Sequence, residues 1–217
     1  MRRLLIILIF FCTLVVSPVI NAQKFKYGAF VGGNINFISL SSDYEIQDEV
    51  NLKPAVSYNI GGYIKTNNNH INLLCFIEYL KIRNKVNQYL LDELGNPLGK
   101  PEMSIINQGV AINLIGTIKI IKGFYLGGGL SGNILLKSSL KFDAKLNLPG
   151  AKTRNEYYIY GYKKVTFSIP VIIGYDFTRI SIFTRLNIGM INRINDDSLV
   201  KEIDNPLILG IGYRINK

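Results

Sequence analysis

The sequence predicts an all-β protein: an eight-stranded antiparallel up-and-down transmembrane β-barrel, preceded by a cleavable signal peptide. Three observations predict it. Apolar and polar residues alternate with a period of two through eight segments of 10 to 16 residues. The connections between these segments alternate between long and short. The face opposite the apolar one is built of small residues and carries little charge. Composition agrees: of 217 residues 48% are hydrophobic and 18% charged, which excludes a disordered chain, and two cysteines exclude a disulfide scaffold.

The amino terminus comes first. Met1, Arg2 and Arg3 form a short basic segment, and Leu4 to Val16 is apolar except for Thr13. These 13 residues would make a helix about 20 Å long, short of a hydrocarbon core of about 30 Å. Ala22 is small enough to precede a cleavage site, so residues 1–22 read as a secretory signal peptide and residues 23–217 as the barrel domain. Cys12 follows Phe11 inside the apolar run and does not suit lipoprotein processing. The mature chain has 217 − 22 = 195 residues, a charge of 23 − 15 = +8, and Cys75 as its sole cysteine.

The first segment sets Phe25, Tyr27, Ala29, Val31, Ile35 and Phe37 against Lys24, Lys26, Gly28, Gly32, Asn34 and Asn36. The second sets Val56, Tyr58, Ile60 and Ile64 against Ser57, Asn59, Gly61 and Lys65. The third sets Ile71, Leu73, Cys75, Ile77 and Tyr79 against Asn72, Phe76 and Glu78. The fourth and fifth carry Ile112, Leu114 and Ile118, then Leu126, Leu130 and Ile134, against Asn113, Thr117, Gly127 and Ser131. The sixth places Phe167, Ile169, Val171 and Ile173 opposite Ser168 and Gly174. The seventh places Ile182, Leu186 and Ile188 opposite Arg185, Asn187 and Gly189. The eighth places Leu207, Leu209, Ile211 and Tyr213 opposite Gly210, Gly212 and Arg214. Each segment is long enough to cross a bilayer as a tilted strand, which takes about 9–11 residues.

The long connections span 39–53, 87–104, 138–162 and 194–205, and the short ones 66–70, 121–123 and 178–179. Of the 15 acidic residues, 13 lie in the long connections; the exceptions are Glu78 and Asp176. Short periplasmic turns and long outer loops are the form of transmembrane barrels.

A soluble binding barrel would turn its apolar face inward and its charges outward. Here the polar face carries ten glycines with Ser, Asn and Thr, the filling a narrow barrel interior needs. Phe30, Tyr63, Phe76, Tyr125 and Phe183 supply its large members. On the apolar face, Phe25, Tyr27, Phe124, Tyr175, Phe177 and Tyr213 fall near the short-turn end, and Phe37, Tyr58 and Tyr79 near the other rim. Two such belts are the aromatic girdles of a membrane barrel.

The segment Arg185-Leu186-Asn187-Ile188-Gly189-Met190-Ile191-Asn192 resembles the Arg-Tyr-x-x-Gly-Leu-x-Asn signature of the PorT-like small outer-membrane β-barrels. Gly210-Ile211-Gly212-Tyr213-Arg214 is similar to that family's last strand, and Glu78-Tyr79 to its third. The chain departs from the pattern at Leu186, where the signature has Tyr, and at Ile215, where a terminal Phe is usual. The resemblance implies an outer-membrane location more than an activity, since the family joins members tied to protein secretion with others of no assigned role.

Chemistry-bearing groups are sparse. The one histidine, His70, lies in a turn at the short-connection end, and Cys75 points to lipid with no base nearby in sequence. No zinc-type Cys/His spacing occurs. The acidic groups Asp43, Glu45, Asp48, Glu49 and Asp196, Asp197, Glu202, Asp204 lack the spacing of a calcium loop and read as solvated loops. No catalytic, cofactor-binding or metal site is therefore expected. The scattered cations do not form a nucleic-acid groove.

The expected function is that of an integral outer-membrane protein of structural or interaction type, with a filled lumen and exposed outer loops. The alternative is a small-solute pore or a transport- or secretion-associated barrel. Eight strands enclose just enough room for side chains, whereas porins use about 16 to 18. The partners implied are outer-membrane lipids and, at the outer loops, a protein or surface glycan. One structural pair is expected inside the lumen: Glu78 on the third segment faces Arg185 on the seventh, across the barrel and at similar height, with Lys26, Lys119 or Arg214 nearby. A buried carboxylate without a cation would cost several kcal/mol.

Overall fold

All eight alternating segments are strands in the computed structural model, which describes residues 25–42, 51–68, 70–87, 90–91, 97–99, 102–145, 152–194 and 200–216. The strands are β1 (Phe25–Ser42), β2 (Asn51–Thr66), β3 (Ile71–Asn87), β4 (Leu90–Leu91), β5 (Pro97–Gly99), β6 (Glu102–Ile121), β7 (Phe124–Lys145), β8 (Lys152–Tyr158), β9 (Val165–Asp176), β10 (Ile180–Gly189) and β11 (Val200–Arg214). The signal peptide and the Asp43–Glu49 and Asp196–Asp197 clusters lie outside the described residues.

Eight strands form a closed antiparallel ring in the order β1-β2-β3-β6-β7-β9-β10-β11, and β1 pairs with β11 to close it. That seam runs from Gly28 opposite Arg214 to Ser42 opposite Val200. Closure leaves no strand edge at the level of the lipid, where an unpaired backbone group would find no partner.

The barrel turns its apolar side chains outward. Ile60, Leu126, Val171, Ile188 and Leu209 are 41–61% exposed on the protein surface, while Asn59, Asn113, Asn187 and Arg185 on the opposite face are buried. This is the reverse of a soluble binding barrel and matches a wall whose solvent is hydrocarbon. Tyr27, Tyr175, Phe177 and Tyr213 ring the short-turn end, and Tyr175 and Phe177 pack as a tilted pair with centroids 4.7 Å apart. Phe37 and Tyr58 lie exposed toward the other rim.

The strands outrun the expected segments. β7 continues to Lys145, β6 begins at Glu102, and β8 pairs with β7 from Ser139–Tyr158 to Lys145–Lys152. Sequence 138–162, expected as one loop, is therefore mostly hairpin, and β4 pairs with β5 inside 87–104. Bulges hide the continuity. Gln108 pairs with Lys137 but Gly109 with Leu135, so Leu136 is an extra residue. A one-residue shift reverses which parity points out, and the alternation that marks a strand is lost there. Beyond the lipid, neither face needs to be apolar. A tall wall of β3, β6, β7 and β8 results, standing above the short β9–β10 side.

Candidate functional site in the barrel lumen

The lumen is filled in layers. At mid-height, Arg185 Nη2 on β10 donates to Glu78 Oε1 on β3 in a salt bridge with no exposed surface on either side chain. The Glu78 carboxylate also accepts Asn59 Nδ2 from β2 at 2.7 Å and Asn113 Nδ2 from β6 at 2.9 Å. Three donors therefore offset the cost of burying this charge. The local sequence makes the room. Glu78 lies opposite Gly61 on one neighbouring strand and Ala111 on the other. A Cβ on Gly61 would lie 2.2 Å from Ile77 O and 2.8 Å from Glu78 Cβ. Arg185 lies opposite Ile172 and Ile208, both fully buried, and its guanidinium stands 5.0 Å from the Phe76 ring centre.

Beside the ion pair sits an aromatic layer. Phe30, Phe76 and Phe183 contact one another with centroids 5.1–5.7 Å apart, and Tyr63 packs on Phe76. Leu74 and Ile115 join the same buried cluster. Gly210 keeps space for Phe183, whose ring would be 2.3 Å from a Cβ there.

A second ion pair lies at the short-turn mouth. Lys65 Nζ donates to Asp176 Oδ2 at 2.7 Å and stands 3.7 Å from the Tyr125 ring centre, while Ser181 Oγ donates to Asp176 Oδ1 at 2.7 Å. Lys26 and Arg214, expected near Glu78, line the same short-turn mouth as Asp176 instead, and Lys119 Nζ donates to Asn68 O at 2.8 Å. They sit too close to the strand ends to reach mid-barrel.

At the long-loop mouth Arg193 pairs with Asp204 and, at 3.3 Å, with Glu202. Tyr162 Oη donates to Glu202 Oε2 at 3.1 Å, and the Arg193 guanidinium lies 4.2 Å from the Tyr162 ring centre. Asn36 Nδ2 donates to Asp204 Oδ1 at 2.7 Å. Burial pushes the Glu202 carboxyl above its usual range, against the opposing pull of Arg193. Burial likewise raises the Tyr162 hydroxyl. Glu202 and Asp204, expected as solvated loop residues, are thus strand residues held by a buried cation.

Arg193, Tyr162 and Asp176 carry this second and third layer, and the sequence reading gave them no role. A signal existed for Asp176, since it is the other carboxylate outside the long connections. Asn192 also gains a purpose: its Oδ1 accepts the backbone N–H of Ile194 at 3.1 Å and of Glu202 at 2.9 Å. His70 is exposed in the β2–β3 turn, and Cys75 lies on the outward face of β3 between Leu73 and Ile77. Among the described residues, no group of three metal-ligating side chains occurs.

A closed eight-stranded meander, apolar outside and polar and filled inside, defines an integral β-barrel of the outer-membrane type. The chain matches no family model and no curated protein. It is similar to solved small barrels. Against Ail, the attachment invasion locus protein of Yersinia pestis, in complex with the heparin analogue sucrose octasulfate, identity is 13%. That match covers 88% of this chain and 99% of Ail, at a TM-score of 0.46. Neisserial surface protein A matches at 10% identity over 86% of this chain and 97% of its own, at a TM-score of 0.42. OprG from Pseudomonas aeruginosa matches at 10% identity over 90% and 98%, at a TM-score of 0.39.

Proposed function

We propose that this chain is an outer-membrane barrel of structural and interaction type, sealed along its axis and presenting its outer strand extensions to partners. The observation that carries the reading is the layered lumen, where the Glu78–Arg185 pair and the Phe30, Phe76 and Phe183 rings fill the cross-section. The reading is non-enzymatic, because the single histidine is an exposed turn residue at the short-turn end. The outer extensions are where a protein or surface glycan would meet the barrel.

The PorT-like signature supports placing the chain near that group, and three of its residues have a structural task here. Arg185 binds Glu78, Gly189 lets β10 approach Asp204 O where a Cβ would lie 2.6 Å away, and Asn192 closes the outer turn. Export through a signal peptide cut after Ala22 belongs to the same reading; sequencing the membrane-inserted form should give Gln23 as the first residue.

Planar-bilayer recording of the purified barrel tests the function. A sealed barrel gives a flat baseline. Discrete single-channel steps from the native protein would establish the pore reading in its place.

A further inference from the structure

On the outward face of β3 the apolar series Ile71, Leu73, Cys75, Ile77, Tyr79 gives way to Lys81, Arg83 and Lys85. The neighbouring strands change at the same height. Lys81 lies opposite Gln108, which lies opposite Lys137; Lys85 lies opposite Ser104, which lies opposite Lys141; and Lys53 lies opposite Lys85 on the other side. Directly paired residues share a face, so these six cations form one grid on the outer wall. Rows two residues apart are about 7 Å apart, and Lys81 and Lys137, two strands apart, are separated by about 10 Å.

The grid begins where the lipid-facing band ends. Lys81 Nζ stands 5.2 Å from the Tyr58 ring centre and Lys137 Nζ 4.8 Å from that of Tyr158. Tyr79 Oη donates to Gln108 Oε1 at 2.8 Å and its ring lies 6.5 Å from Tyr58. Interfacial tyrosines mark the headgroup level, so the cations stand at the height of lipid phosphates. Three carboxylates share this face by the same register: Glu156, paired with Lys137 at 2.8 Å and Lys141 at 3.8 Å, Glu102 at its upper edge, and Asp143 opposite Glu102. Six cations against three carboxylates leave a net positive patch facing sideways into the membrane surface.

We propose that this patch binds the phosphorylated headgroup of an outer-leaflet glycolipid. Charge complementarity selects an anion, and the height on the wall selects a headgroup over a soluble ligand. The roughly 10 Å spread between β3 and β7 suits two phosphates on a sugar frame better than a single phosphodiester. The exposed Tyr158 and Tyr160 rings offer faces for sugars. Lys and Arg recognise phosphate through charge-assisted hydrogen bonds. The inference rests on the membrane reading above.

Native mass spectrometry of the full-length mature barrel tests it, after reconstitution into neutral vesicles. The vesicles are doped with a bisphosphorylated glucosamine-disaccharide lipid, its dephosphorylated form, or phosphatidylglycerol. Flotation with the vesicles and heat-modifiable gel migration score insertion and folding separately. The native barrel should retain the bisphosphorylated lipid at least tenfold better than either other lipid. The variant K81A/R83A/K85A should lose that preference, while K122A/R179A at the opposite rim should keep it. Equal retention of the three lipids, or unchanged retention by the folded triple variant, overturns the site. A native barrel that floats but retains no phosphorylated lipid also overturns it and leaves the membrane reading standing; one that does not float overturns both.

Discussion

Arg185 reaches across the lumen to Glu78, 107 residues away in the chain, and each side chain is completely shielded from the surface. No local pairing rule brings them together; only ring closure does. Removing one partner leaves the other charged and buried, which costs about 3–5 kcal/mol. Glu78→Gln should therefore lower the urea midpoint of the folded barrel markedly. The exchanged pair E78R/R185E should recover part of the loss. The chain has no Trp, so circular dichroism or heat-modifiable gel migration is the measurement. Equal stability of E78Q and native protein would remove the pair from the stability argument.

Glycine in the wall separates into two kinds. A Cβ at Gly210 meets the Phe183 ring at 2.3 Å, whereas at Gly62 the nearest atom is Gly28 O at 3.6 Å. Gly210→Val should destabilise the barrel by about 1–3 kcal/mol, the range for overpacking. Gly62→Ala, on the outward face, should fold and unfold like the native protein. The two midpoints, measured side by side, check the assignment of faces.

Acid should tighten the outer mouth. The folded state holds the Glu202 proton more strongly than the unfolded chain does, chiefly because burial penalises its charge. Its stabilising contribution is thus complete below the unfolded carboxylate value and lost as pH rises through the elevated folded value. Glu202→Gln mimics the neutral form and keeps an acceptor for Tyr162. Thermal melts across pH should show the native protein losing stability over that window on going up in pH, with E202Q flatter.

Asn192 serves two backbone donors at once. Asn192→Ala should leave the barrel inserted yet expose the turn, at a cost of about 1–2 kcal/mol confined to the outer end. Limited proteolysis of intact vesicles should cut the variant faster near residue 194 and leave the strands below protected.

Strand number, facing and closure were legible because hydrocarbon enforces a strict parity on one face: Ile60, Val171 and Leu209 could point nowhere else. The asparagine partners of Glu78 were not legible, because Asn59 and Asn113 reach it diagonally and a diagonal depends on stagger between strands. The buried Arg193 cluster escaped for a different reason. Above the lipid the parity constraint lapses and the bulge at Leu136 shifts it, so β7's upper half and the Glu202 region looked like loop. Leu74, Ile172 and Ile208 sit on the polar face yet fill the lumen, which alternation alone does not separate from lipid-facing neighbours.

The β1–β11 seam has a kinetic consequence. The first strand of the ring in sequence finds its partner in the last; Asn216 on one side of the seam bonds Tyr27 N and Phe25 O across 189 and 191 residues. Contacts so distant in sequence form slowly, because loop entropy is spent before they give anything back. Until that final pairing, β1 presents a bare edge, and any neighbouring chain can extend it. Assembly of this barrel is therefore a race between zipping its own ends and being copied by a stranger, and whatever shelters β1 during transit decides the yield.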